Sequence, residues 1–106
     1  MRPVSIQKIR AVARRIGREF RPKKVILFGS YAYGHPHADS DVDLFIIVKS
    51  RQRPAARATA VLKTLHPRPF SVDVLVRTPR EVNHRLALGD SFIEEIMTRG
   101  KILYET

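Results

Sequence analysis

Three carboxylates and one glycine turn are the residues of this chain best suited to chemistry. Asp41 and Asp43 stand two apart at the head of an apolar run, Asp-Val-Asp-Leu-Phe-Ile-Ile-Val. Alternate side chains of a strand share a face, so both acids point the same way. Like charges that close repel unless a cation lies between them. Asp73 interrupts a second valine-rich segment, Ser71 to Val76, where an unpaired carboxylate is costly to bury. Upstream, Gly29 lets a phosphate approach the backbone with no Cβ in the way. Ser30 adds a hydroxyl and a backbone N–H at the start of a helical turn. If the two acid-bearing strands are neighbours, the three carboxylates can surround one or two Mg²⁺ ions, which favour hard oxygen ligands. Two such ions activate an attacking oxygen and stabilise a leaving one in an in-line displacement. Ordinary structural readings stand beside this one. Asp41 can be a turn residue, Asp43 and Asp73 can pair with basic side chains, and Gly-Ser after a strand can be only a turn.

The elements that must position these residues follow from the apolar spacing. Ser5 N-caps a helix from Ile6 to about Glu19, with Ile6, Ile9, Ala13, Ile16 and Phe20 as its inward stripe. Arg21-Pro22 ends it. Val25 to Phe28 is a short buried strand, broken by Gly29, and Ser30 to Tyr33 is a brief helical turn closed by Gly34. Val42 to Val48 suits a central strand covered on both faces. Pro54 starts a helix to about Leu65, with Ala58, Val61, Leu62 and Leu65 inward. Ser71 to Val76 is a third strand: Val72, Val74 and Val76 face one way, Ser71, Asp73 and Leu75 the other. Thr78 caps a helix from Pro79 towards Leu88, and Ser91 caps one from Phe92 to Thr98. Ile102 to Tyr104 is a last short strand. The order predicts an α/β domain with a small mixed β-sheet packed with helices. Gly29-Ser30 lacks the further glycines of a dinucleotide loop and the lysine of a P-loop.

The 106 residues are read as a single domain, 1–106, with one modest core. No run of about 18 apolar residues is present, so no membrane span is expected. The N-terminus lacks a secretory h-region, and a cytoplasmic location is expected. The chain has no cysteine, which fits that location and excludes disulfide, thiolate and zinc–thiolate chemistry. The formal net charge is +10, and four of the ten acids (Asp39, Asp41, Asp43, Asp73) lie in or near the proposed site. The rest of the surface is therefore strongly basic and attracts polyanions: nucleotides, nucleic acid or an acidic partner. No aromatic–basic interleaving or helix-turn-helix signal accompanies that charge. His35 and His37 flank Pro36 in an exposed loop, and His84 shares a solvated helix face with Arg80 and Arg85. Tyr31, Tyr33 and Tyr104 read as core-edge packing or as base-stacking residues. Lys49 and Arg77 follow the acid-bearing strands and read as surface residues or as triphosphate contacts.

Gly29-Ser30, ten residues, then Asp41-Val42-Asp43 resembles the signature of the DNA polymerase β-like nucleotidyltransferase superfamily. The flanks, Leu-Phe-Gly-Ser-Tyr-Ala and Ser-Asp-Val-Asp-Leu, are similar to its minimal branch, the MNT-type nucleotidyltransferases. The resemblance covers roughly residues 20 to 106, including Asp73 and the terminal Gly-Lys-Ile-Leu-Tyr-Glu. It implies the polymerase β-like fold and transfer of a nucleoside monophosphate from an NTP to a hydroxyl, with release of pyrophosphate. By position it implies Gly29 and Ser30 as nucleotide-binding residues, and Asp41, Asp43 and Asp73 as catalytic metal ligands. Asp41 and Asp43 would hold the nucleotide-associated Mg²⁺. Asp43 and Asp73 would hold the second, with Asp73 helping to deprotonate the acceptor. Tyr33 stands where many minimal members carry Arg, so one phosphate contact of the family is missing.

Larger relatives bind the acceptor with an extra domain for which these residues leave no room, so the acceptor is presented by another protein or docks on the basic surface. Minimal members of this type resemble the antitoxin of a type VII toxin–antitoxin pair. That resemblance implies a HEPN-type toxin partner and AMPylation of a toxin tyrosine with ATP as donor. Two alternatives stand beside it. One is an antitoxin that neutralises its partner by binding alone. The other is a nucleotidyltransferase acting on a small hydroxyl compound, its pocket completed by dimerisation.

Overall fold

The computed structural model describes residues 3–106. Its elements run α1 (Ile6–Phe20), β1 (Lys24–Phe28), α2 (Ser30–Tyr33), β2 (Val42–Ile47), α3 (Pro54–Thr64), β3 (Val72–Arg77), α4 (Pro79–Ala87), α5 (Ser91–Arg99) and β4 (Lys101–Glu105). The four strands form one sheet in the order β3-β2-β1-β4. β1 is antiparallel to both β2 and β4, while β2 and β3 are parallel. α3 is the crossover that parallel neighbours require. The small mixed sheet expected from the sequence is the one observed, with β2 as a central strand.

Strand alternation divides the core into two layers. Val25, Leu27, Val42, Leu44, Ile46, Val72, Val74 and Val76 pack against Ile9, Val12, Ala13 and Ile16 of α1, Val61 of α3 and Leu65. On the opposite face Ile26, Phe28, Phe45 and Ile47 meet Val82 of α4 and Ile93 and Ile96 of α5. The second layer is the smaller. It covers the middle of the sheet and leaves the amino ends of β2 and β3 open, where Asp73 is exposed and Asp43 half-buried.

Several local details differ from the sequence reading. Ser5 caps α1 as expected, accepting from Lys8 N–H. The buried stripe of α1, however, is Ile9, Val12, Ala13, Ile16 and Gly17, and Ile6 is 40% exposed. The stripe turns towards Gly17 because the ring of Tyr104, on β4, occupies the space a Cβ there would need. α5 is capped by Asp90 rather than Ser91: the Asp90 carboxylate accepts from Phe92 and Ile93 N–H. A carboxylate also complements the helix dipole, which a serine hydroxyl does not. In α3, Arg57 is buried with Val61, while Ala58 and Leu62 are only partly so.

Candidate active site

β2 and β3 start together, because Val42 N–H donates to Ser71 C=O at 3.0 Å. The parallel register then places Asp43 directly beside Asp73. Neighbouring strands lie about 4.8 Å apart, so these carboxylates leave one face of the sheet side by side. Across the antiparallel pairing Asp43 faces Phe28, the last residue of β1. Asp41, two residues before Asp43, precedes β2, and its Oδ1 accepts a hydrogen bond from Ser71 Oγ. That pairing follows from the alternation that put Ser71 on the face of Asp73, although its role as an anchor for Asp41 was not read from the sequence.

Gly29 closes the fourth side. Its φ of +76° is the left-handed region that favours glycine, and a Cβ there would run into Asp43 Oδ2. The Asp43 carboxylate therefore lies against bare backbone at the turn. Ala32 and Tyr33 N–H both donate to Gly29 C=O, at 3.0 and 3.1 Å, which fixes the short α2 turn beginning at Ser30. The structure thus brings Gly29, Asp41, Asp43 and Asp73 into one neighbourhood, with Ser30 adjoining.

Its electrostatics are those of charges lacking a partner. The Asp43 carboxyl is pushed up to about 6, first by burial, then by the charges of Asp73 and Asp41. Among the described residues the ion pairs are Lys24–Glu105, Arg57–Glu81, Arg85–Asp90 and Arg99–Glu95, and none involves these three acids. Among the described residues no group of three His, Cys, Asp or Glu side chains closes round a single point. Magnesium does not require such a cage: it is commonly held by one or two carboxylates together with substrate phosphates and water. Adjacent carboxylates that pair with no cation among the described residues fit that requirement.

The remaining sequence candidates fall elsewhere. Lys49 lies just beyond the carboxyl end of β2, and Arg77 is the last residue of β3. Asp43 and Lys49 are six residues apart along β2, about 20 Å at strand rise, so Lys49 stands at the far end of the sheet. There Lys49, Ser50, Gln52 and Arg57 help to line a cavity of about 280 Å³. Arg77 donates to Val76 C=O. His35, His37 and His84 are exposed, as is Asp39. Tyr31 OH accepts from Val4 N–H at 2.9 Å, and Tyr104 packs on the α1 side of the core, so both serve the framework. Tyr33 instead joins the α5 layer, with the Arg99 guanidinium 4.5 Å above its ring. No sequence signal linked those two residues, which stand far apart in the chain.

The same arrangement of elements occurs in known structures. A candidate nucleotidyltransferase from Sulfolobus solfataricus superposes with a TM-score of 0.66 at 16% identity, over 94% of this chain and 79% of that one. A chain of the MntA-HpeT toxin–antitoxin, in a mutant form, gives 0.58 at 24% identity, over 97% and 75%. At such identities the likeness is one of fold. No curated protein sequence matches the chain. The family model for the nucleotidyltransferase domain matches residues 7–104, a span that includes the glycine turn and all three acids. The chain belongs to the nucleotidyltransferase domain family.

Proposed function

We propose that the chain is a magnesium-dependent protein adenylyltransferase, moving AMP from ATP to a tyrosine hydroxyl of a HEPN-type toxin and so acting as its antitoxin. The observation that carries the reading is the register of Asp43 beside Asp73, with Asp41 two residues upstream and, among the described residues, no cation paired with any of them. The family membership supports the transfer. The likeness to a chain of a toxin–antitoxin supports the partner.

In this reading Gly29 and Ser30 receive the phosphates, because the turn offers backbone and hydroxyl with no side chain in the way. Asp41 and Asp43 hold the magnesium that accompanies the nucleotide, and Asp43 and Asp73 hold a second. When bound, magnesium supplies the positive charge that draws the phosphates in and favours departure of pyrophosphate. Asp73, the more exposed of the strand pair, takes the proton of the acceptor hydroxyl. The hydroxyl oxygen forms the new bond to the α-phosphorus, and the bond from that phosphorus to the bridging oxygen breaks. The electron pair leaves with pyrophosphate. Asp41, anchored by Ser71, keeps its second oxygen free for the site.

A second reading has its own observation. Lys8, Arg10, Arg14, Arg15 and Arg18 of α1 are all exposed, giving one helix a dense basic face. Such a face suits an acidic partner and would allow neutralisation by occlusion. One experiment separates the two. The proposed toxin partner is incubated with the purified protein, ATP and Mg²⁺, and its intact mass is measured. The catalytic reading expects a gain of one or more AMP units, absent when Asp41 and Asp43 are both changed to Asn. Unaltered toxin mass, together with full neutralisation by the double variant, would establish occlusion instead.

A further inference from the structure

We propose that Arg99, lying on the ring of Tyr33, is the cation that contacts the outer phosphates of the bound nucleotide, and that Tyr33 is the residue that positions it. The proposal rests on the nucleotide-binding reading of the acid cluster. Charge balance creates the need. Three carboxylates and two Mg²⁺ ions leave a net of about +1, whereas a triphosphate nucleotide brings about −4, so the loaded site lacks positive charge. Neither the two cations at the strand ends nor two of the ion-paired arginines are placed to supply it. Lys49 and Arg77 stand at the far end of the strands, Arg57 is committed to Glu81 and Arg85 to Asp90.

Arg99 is different in both place and state. Tyr33 belongs to the apolar layer on the sheet face that carries Asp43 and Asp73, and its N–H is bonded to Gly29 C=O. Arg99 is the last residue of α5, and β4 then begins with Lys101 opposite Leu27, two residues before Gly29. The end of α5 is therefore tied to the end of β1 where the glycine turn begins. The guanidinium carbon sits 4.5 Å from the centroid of the Tyr33 ring. Stacking fixes the plane of a guanidinium while leaving its edge N–H donors free for two oxygens of a phosphate. Its carboxylate partner among the described residues is Glu95 at 3.4 Å, with both side chains about half exposed (56% and 45%). Exposed pairs of this kind are weak and readily exchanged for a phosphate.

Calorimetric titration with Mg²⁺ and a non-hydrolysable ATP analogue, and separately with AMP, tests this in the full chain. Arg99→Ala should weaken binding of the analogue about tenfold and of AMP much less, with the melting temperature preserved. Tyr33→Phe, which keeps the ring, should bind as the wild type does, and Tyr33→Leu should share the loss of Arg99→Ala. Equal affinity of Arg99→Ala and wild type for the analogue would overturn the proposal while leaving the nucleotide reading intact. An equal loss for AMP and analogue would overturn it too, since the effect would not follow the outer phosphates. Tyr33→Phe behaving as Tyr33→Leu would remove the stacking role. A wild type that binds no analogue would overturn both the proposal and the reading beneath it.

Discussion

At the carboxyl end of β2 and β3 a buried charge has its partners, while at the amino end three carboxylates pair with no cation among the described residues. Arg57 is only 7% exposed, yet its Nη1 meets Glu81 Oε1 at 2.6 Å and its Nε donates to Gln52 C=O at 2.7 Å. Glu81 in turn completes a capping box with Thr78 at the start of α4. Its carboxyl is held below the ordinary range, first by the hydrogen bond from Arg57. The buried Arg57 charge is thereby neutralised from within the protein. At the amino end Asp43 is half-buried, crowded by Asp73 and Asp41, and pushed upward to about 6. One family of forces, desolvation against pairing, builds the fold at one end and leaves a demand for cations at the other. The difference separates charges that hold the fold from charges that await a ligand.

The largest expected effect lies at the amino end. Asp43→Asn should reduce AMP transfer at least about a hundredfold, the scale of losing a group that stabilises transition-state charge. At neutral pH its melting temperature should stay level or rise, because a repelled and partly desolvated charge has been removed. A variant that lost stability along with activity would show that Asp43 is structural after all, and the contrast between the ends would fail.

The mirror experiment is Arg57→Met. It removes the Arg57 donor from Glu81 and from the Gln52 carbonyl, so stability should fall by about 2–3 kcal/mol, roughly 10–20 °C in Tm. Binding of the nucleotide analogue, measured well below the melting transition, should be unchanged. Weakened binding in a folded Arg57→Met protein would mean that the cavity at this end takes part in nucleotide recognition.

A smaller effect is expected from pH. The Asp43 carboxyl is raised from 3.8 to about 6. A raised carboxyl means that the folded state holds the proton more tightly than the unfolded one. Its stabilising contribution is complete below the unfolded value and is lost as pH rises through the folded value. In EDTA, the Tm advantage of Asp43→Asn over wild type should therefore be small near pH 4 and grow until about pH 6.5. A difference that stays flat across this window would place Asp43 in ordinary solvent, clear of its acidic neighbours.

Much of the amino end was legible in the sequence because its pattern is local. Asp-Val-Asp at the head of an apolar run fixes a shared face by alternation, and Gly29-Ser30 announces a turn at the end of β1. Asp73 was legible as an anomaly among valines, but alternation sets only its face. Its place beside Asp43 depends on the parallel register joining Val42 to Val72, which no local pattern encodes. The carboxyl end was nearly opaque. Arg57 sits one turn before Val61 on a helix whose apolar periodicity marks only Ala58, Val61, Leu62 and Leu65 as its inward face. Its burial depends on Glu81, 24 residues later, and on the Val76 carbonyl. Arg99 and Tyr33 escaped for the same reason: a contact between distant elements leaves no periodic trace. Lys49 and Arg77 follow strands whose acids stand at the opposite end, so nearness in sequence did not bring them near the carboxylates in space.

The most direct test is an anomalous difference map from crystals grown with Mn²⁺ and a non-hydrolysable ATP analogue. The structure predicts manganese against Asp41 and Asp43, the triphosphate along Gly29 and Ser30, and nothing in the cavity beside Lys49 and Arg57. Manganese or nucleotide bound at that far cavity, with the three acids bare, would contradict the account.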